Sequence, residues 1–87
     1  MPVPYSLKIV TPQGIAYEGT VFHTFVPTEN GFAGVLAYHA PYLTSSKGGK
    51  LIAKEMIGLE KDFRVGPGFF EIKSNQAVFL TQSCSPL

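Results

Sequence analysis

Tyr5, Leu7 and Ile9 alternate with Ser6 and Lys8. An apolar–polar period of two is the mark of a half-buried strand. Thr11-Pro12-Gln13-Gly14 follows as a turn, with proline placed to open it and glycine to close it. Ile15 and Tyr17 then alternate with Ala16 and Glu18, which predicts a second strand and a hairpin. Thr20 to Pro27 is rich in β-branched and aromatic residues and reads as a third strand. It sets Val21, His23 and Phe25 on one face and Phe22, Thr24 and Val26 on the other. Both faces are largely apolar, so this strand is either covered on both sides within the domain or met by another protein.

From Val26 to Thr44 the chain reads VPTENGFAGVLAYHAPYLT. Pro27 fixes one φ angle, and Asn30-Gly31 offers the left-handed conformations of a tight hairpin turn. Gly34 splits the apolar run Phe32–Leu36, as a bulge or a close backbone approach would. His39-Ala40-Pro41 is a turn, with Ala40 pushed towards extended geometry by the proline after it. Tyr42–Ser46 continues as a strand, and Lys47-Gly48-Gly49-Lys50 turns. Leu51–Phe63 admits two readings. Ile52, Met56, Leu59 and Phe63 are spaced as a helix stripe, yet Gly58 interrupts it and every neighbouring segment reads as strand. Val65 begins another extended piece and Gly66-Pro67-Gly68 is a sharp turn. Phe70 and Ile72 alternate with Glu71 and Lys73. Ser74-Asn75-Gln76 turns, and Ala77–Thr81 is a last strand, apolar on both faces. Gln82–Leu87 reads as a frayed tail. Many short strands with frequent turn signals predict an all-β protein, an antiparallel sandwich or barrel. No repeat or linker divides residues 1–87, so the chain is one domain.

Eighty-seven residues hide about 60–65% of their unfolded surface, enough for one modest core. A net charge of +1 gives no electrostatic case for nucleic acid or an anionic membrane. One cysteine forms no internal disulfide, which fits a reducing compartment. The opening MPVPYSLKI lacks a signal pattern. The longest charge-free stretch, between Glu29 and Lys47, holds Asn, Gly, His and Pro and is no membrane span.

Chemistry is sparse. Lys47-Gly48-Gly49-Lys50 lacks the order of a phosphate loop. His23, His39 and Cys84 have no metal-ligand spacing. Cys84 has no evident base beside it and lies in the tail. Glu18, Glu29, Glu55, Glu60, Asp62 and Glu71 read as solvated residues, with Glu29 singled out by its place at a hairpin tip. These observations favour no nucleophile, no metal and no cofactor, and they leave a hydrolytic carboxylate pair open without favouring one. Of Phe22, Phe25, Phe32, Phe69 and Phe79, at least two are expected at a protein interface, where aromatics concentrate.

Four pieces of the chain together resemble a known family. LKIVTPQGIAYEG is similar to its opening hairpin, VPTENGFAGVLAYHAPYLT to its VPTxDGxxGILPxHAPLLT motif, Lys47-Gly48-Gly49 with Leu51 to its KPGxL step, and VGPGFFEIKSNQAVFL to its VxGGFLEVxxNxVxVL ending. Their order and spacing agree from Leu7 to Leu80. The family is the N-terminal β-domain of the epsilon subunit of F-type ATP synthases, called delta in mitochondria. The resemblance implies a flattened antiparallel β-sandwich of about ten short strands, with Leu51–Phe63 as two strands joined by a turn. It implies a non-catalytic central-stalk subunit of the rotor, held in the alpha3-beta3-gamma-epsilon complex at the cytoplasmic face of a bacterial plasma membrane, without direct membrane insertion. The gamma subunit would be met through Thr11, Phe25, His39 and Thr44, and the c-ring through Glu29, Asn30, Gly31 and Phe32. Phe32 departs from the motif, where an acidic or polar residue is usual, so either Glu29 supplies a charged contact there or the contact is more apolar. Ala37, Tyr38 and Thr81-Gln82 depart too. Because the chain stops at Leu87 without the family's C-terminal helical hairpin, neither an ATP site nor hairpin-type inhibition is expected in this polypeptide. Two readings from other classes compete. A small β-barrel ligand-binding module would show a concave pocket of roughly 300 Å³ or more. An OB-like nucleic-acid binder would need a basic groove with interleaved aromatics, which seven cations against six carboxylates do not supply.

Overall fold

The computed structural model describes residues 3–56 and 58–87. Its ten strands are β1 (Tyr5–Thr11), β2 (Gly14–Val21), β3 (His23–Thr28), β4 (Gly31–Val35), β5 (Tyr42–Ser46), β6 (Gly49–Met56), β7 (Leu59–Val65), β8 (Gly68–Lys73), β9 (Gln76–Thr81) and β10 (Cys84–Pro86). They form two five-stranded sheets, β2-β1-β9-β8-β5 and β10-β7-β6-β3-β4. The predicted all-β sandwich is what forms. All but one of the strand pairs are antiparallel; β1 and β9 run parallel.

Leu51–Phe63 is a hairpin, not a helix. Leu51 pairs with Phe63 and Ala53 with Lys61, and the helix stripe dissolves because Leu51, Ala53 and Phe63 turn inward while Met56 and Leu59 stay exposed. Ile57 lies outside the described residues. The expected third strand is broken at Phe22, where the chain leaves the first sheet for the second. Phe22 N–H donates to the Lys54 carbonyl at 2.7 Å and stitches this corner to β6. The break shifts the phase, so Val21 is buried together with Thr24 and Val26 while His23 and Phe25 face outward. Likewise Ile15 and Tyr17 do not share a face. Ile9 pairs with Tyr17 but Val10 pairs with Ile15, so Ala16 is a bulge and Ile15 turns to solvent. The tail is not frayed: Cys84–Pro86 pairs with Val65–Phe63, and Leu87 N–H donates to the Asp62 carbonyl at 2.9 Å. Pro27 is tolerated inside a strand because the β3–β6 ladder ends at Phe25–Ile52, so no partner there waits for its missing N–H.

The core lies between the sheets, with Leu7, Ile9, Phe70, Ile72 and Phe79 from one layer and Val26, Val35, Leu51 and Ala53 from the other. A polar bridge crosses it. The Tyr5 hydroxyl donates to the Val35 carbonyl at 2.7 Å and accepts from the Thr24 hydroxyl at 2.7 Å. Burial pushes this phenol up from 10.0 to about 12. At the β2 edge the Tyr17 hydroxyl donates to the Glu55 carboxylate, and burial together with that carboxylate raises Tyr17 as well. Both phenols therefore keep their protons in the fold at pH values where the unfolded chain releases them. Their contribution is whole below about pH 10; that of Tyr5 is lost as the pH rises through about 12, and that of Tyr17 is lost higher still. Denaturant midpoints are expected to hold level to about pH 9.5 and fall beyond 10. Tyr5→Phe should flatten part of that fall, while costing roughly 1–3 kcal/mol at neutral pH because Thr24 and the Val35 carbonyl lose a buried partner.

Candidate docking surfaces

Two hairpin tips share one local solution. Thr28 Oγ1 donates to the Gly31 carbonyl at 2.7 Å and accepts from Asn30 N–H at 3.2 Å. Thr11 Oγ1 does the same with the Gly14 carbonyl and Gln13 N–H, both at 3.2 Å. Each turn closes on a glycine at positive φ, 112° at Gly31 and 122° at Gly14, a region that side chains rarely enter. Asn30 itself does not take the left-handed conformation its sequence context offered. Glu29 N–H reaches across to the Ser45 carbonyl of β5 at 3.3 Å, so the tip is tied to the other sheet. The structure thus brings Glu29, Asn30, Gly31 and Phe32 together, with the Phe32 ring 65% exposed.

A second feature was only partly legible. On the outer face of the first sheet, Ile15 lies opposite Val10, Val10 opposite Leu80, Leu80 opposite Phe69 and Phe69 opposite Ser45. This row crosses all five strands. Ile15, Leu80 and Phe69 are each more than half exposed. The next row reads Glu18, Lys8, Val78, Glu71 and Leu43, with Lys8 and Glu18 paired at 3.7 Å. The apolar second face of Ala77–Thr81 was visible in the sequence. Its neighbours were not, because the row depends on the β1–β9 pairing and on the bulge that swings Ile15 outward.

An open groove of about 570 Å³ runs where this row meets the tips, lined among others by Val10, Thr11, Glu29, Phe69 and Leu80. It exceeds the roughly 300 Å³ of a small-ligand pocket, and it is lined by first-sheet residues together with Glu29 from the tip of the second sheet. Among the described residues Glu29 is the one charged residue along it.

The four residues expected at a gamma interface divide. Thr11 ends β1 and lines the groove. Thr44 sits half-buried on edge strand β5, and the His39 ring lies 5.5 Å from that of Tyr42, at the start of the same strand. His39 Nδ1 donates to the Ala40 carbonyl at 2.7 Å. Phe25 is on the outer face of the other sheet, stacked 4.2 Å from His23. Burial first, and then Lys54, lower the His23 imidazole below its ordinary 6.5. That face is otherwise laced with ion pairs, Lys50–Asp62 at 3.4 Å and Lys54–Glu60 at 3.6 Å.

Among the described residues no three of His, Cys, Asp and Glu gather as a metal site would require. Burial raises the Cys84 thiol above its ordinary 9.0, away from the thiolate that a nucleophile needs. No helix among these residues is long and apolar enough to cross a membrane.

The fold is a β-sandwich of two five-stranded sheets that carries exposed apolar side chains on an outer row and at a hairpin tip. The chain belongs to the ATP synthase delta/epsilon chain β-sandwich domain family, whose pattern matches residues 4–86. The ATP synthase epsilon chain of Chlorobaculum tepidum is 37% identical over 81 residues, spanning 93% of this chain and 92% of that one. That of Chlorobium limicola is 35% identical over the same shares. The fold matches a chain of the Euglena gracilis mitochondrial ATP synthase, solved with OSCP, F1 and c-ring, at a TM-score of 0.89 and 19% identity, covering 99% of this chain and 55% of that one. A chain of the Tetrahymena thermophila central stalk and c-ring matches at 0.74 and 14% identity, covering 92% and 64%.

Proposed function

We propose that this chain is a non-catalytic rotor subunit of a rotary F-type ATP synthase, docking the gamma subunit onto the c-ring without a cofactor of its own. The observation that carries the reading is the solvent-facing apolar row Ile15–Val10–Leu80–Phe69 beside a tip pinned by Thr28 and Glu29. Transmitting torque asks for a surface that does not slip, and a close-packed apolar patch on a rigid sheet resists sliding better than a wet, charged one. Family membership supplies the complex in which such a surface would work.

The gamma subunit covers the outer row of the first sheet and the edge carrying Thr11, His39 and Thr44. Phe25, on the opposite sheet, joins only if gamma also wraps past the β4 edge. The c-ring meets the Glu29–Phe32 tip. The complex lies peripherally at the cytoplasmic face of a bacterial plasma membrane, with this chain outside the bilayer.

Titration of purified gamma against the wild type and two variants tests the assignment. Leu80→Asp is expected to weaken binding at least tenfold, about 1.4 kcal/mol or more, with an unchanged circular dichroism spectrum. Phe25→Asp should change it by less. Equal loss from both variants would move the interface to the second sheet, and no binding by the wild type would remove the rotor reading altogether.

A further inference from the structure

β4, Gly31–Val35, closes one end of the second sheet, and among the described residues no strand pairs with its other side. Sheet edges are normally guarded against other chains by charge, proline, a bulge or a covering segment. The other three edges of this sandwich are guarded in that way. β2 carries Glu18 and the Ala16 bulge, β10 holds Pro86, and in β5 the Ser45 carbonyl is already taken by Glu29 N–H. β4 reads Gly-Phe-Ala-Gly-Val, with no charge, no proline and no break in its register.

We propose that the free chain pairs reversibly with a second copy of itself, β4 to β4, antiparallel about Ala33. The register makes this edge self-complementary. Phe32 and Gly34 share the outer face, opposite Pro27 and Phe25, while Val35 is buried on the inner one. Antiparallel pairing centred on Ala33 sets Phe32 of each copy opposite Gly34 of the other. Phe32 is the large exposed side chain on this strand, and Gly34 is the position without one. Beside Gly34 lie His23 and Phe25, at 3.2 and 3.8 Å from where a Cβ would stand. The incoming ring therefore meets the edge of an existing aromatic stack instead of a side chain in its way.

The pairing is weak. Two five-residue strands, each about 17 Å long, bury roughly half the ~1,200 Å² of the smallest stable interfaces. A dissociation constant on the order of 1 mM follows for so small a contact. Because the same Phe32 belongs to the tip proposed to meet the c-ring, self-pairing and assembly exclude each other. The pairing itself does not depend on the rotor reading.

Sedimentation velocity on the isolated chain from about 0.05 to 2 mM brackets that constant and tests the inference. The expected result is a monomer that shifts towards dimer at the upper end. Phe32→Lys, which alters an exposed side chain, should keep the fold by circular dichroism and weaken the dimer at least tenfold. The chain has no tryptophan, so Phe32→Trp supplies a single reporter whose emission should shift to the blue as the chain is concentrated. Dilution spectra of the backbone amides should move at residues 31–35. A sedimentation coefficient flat across the range overturns the proposal. So does a dimer that survives Phe32→Lys, or one whose amide shifts fall on the row containing Ile15 and Leu80.

Discussion

Gly68→Ala is expected to leave the chain unfolded at 25 °C. Gly68 opens β8 opposite Thr81. A Cβ built there would overlap the Leu80 carbonyl oxygen and stand 2.9 Å from its carbon and 3.0 Å from Thr81 Cα. All three are backbone atoms of the neighbouring strand, so no rotamer change makes room. Relief requires β8 and β9 to separate, and β9 is the strand that joins β1 to the rest of its sheet. The turn before it cannot easily move either. Gly66 N–H donates to the Ser83 carbonyl at 3.0 Å, and the Thr81 hydroxyl donates to the Gly66 carbonyl at 2.9 Å. A domain of 87 residues has about 4–13 kcal/mol of stability at 0.05–0.15 per residue. Losses above roughly 4–5 kcal/mol mark forced backbone strain of this kind. Gly14→Ala, with open space around its Cβ but a φ of 122°, serves as the control and should cost far less. Thermal melts of both variants decide it, and a cooperative melt of Gly68→Ala near the wild-type temperature would show that the two strands can part cheaply.

The strands were readable wherever one face is wet. Phe70 and Ile72 against Glu71 and Lys73, or Leu7 and Ile9 against Lys8, alternate because the sandwich buries one side and leaves the other to water. Reading failed at Phe22 and Ala16, where the chain breaks phase. A corner between sheets and a bulge both shift alternation by one residue, and neither has a fixed residue type, so the pattern simply looks poor. It failed again at Gln82–Leu87, because a polar tail becomes a strand only through the edge that β7 offers it. The tip at Glu29–Phe32 was legible because its turn chemistry is local. The apolar row was not, since its members come from four strands whose order no short window contains. The separation of Phe25 from Thr11, His39 and Thr44 has the same origin: strand order, not local sequence, decides which sheet a residue faces from.

Phe69 and Phe70 offer the sharpest separation of fold from function in this molecule. They are adjacent in sequence, identical in chemistry and opposite in direction, because successive side chains on a strand point to opposite faces. Phe70 is 0% exposed and lies opposite Phe79 in the core, whereas Phe69 is 57% exposed and lies opposite Leu80 on the outer row. Phe70→Ala removes a large ring from a close-packed interior and should cost about 3–5 kcal/mol, the transfer of the ring plus the cavity left behind. Against the stability of so small a domain, that leaves a largely unfolded or barely folded chain. Phe69→Ala exposes nothing new and should change stability by less than about 0.5 kcal/mol. If the outer row is the surface that gamma grips, the effects on binding reverse. Phe69→Ala, still folded, should lose at least tenfold in affinity for gamma, as a truncated aromatic anchor does. Urea midpoints and gamma titrations on the same two preparations separate the outcomes. A folded Phe69→Ala that binds gamma as the wild type does would show that the row is merely tolerated surface, and the grip would then have to be sought on the face that carries Phe25.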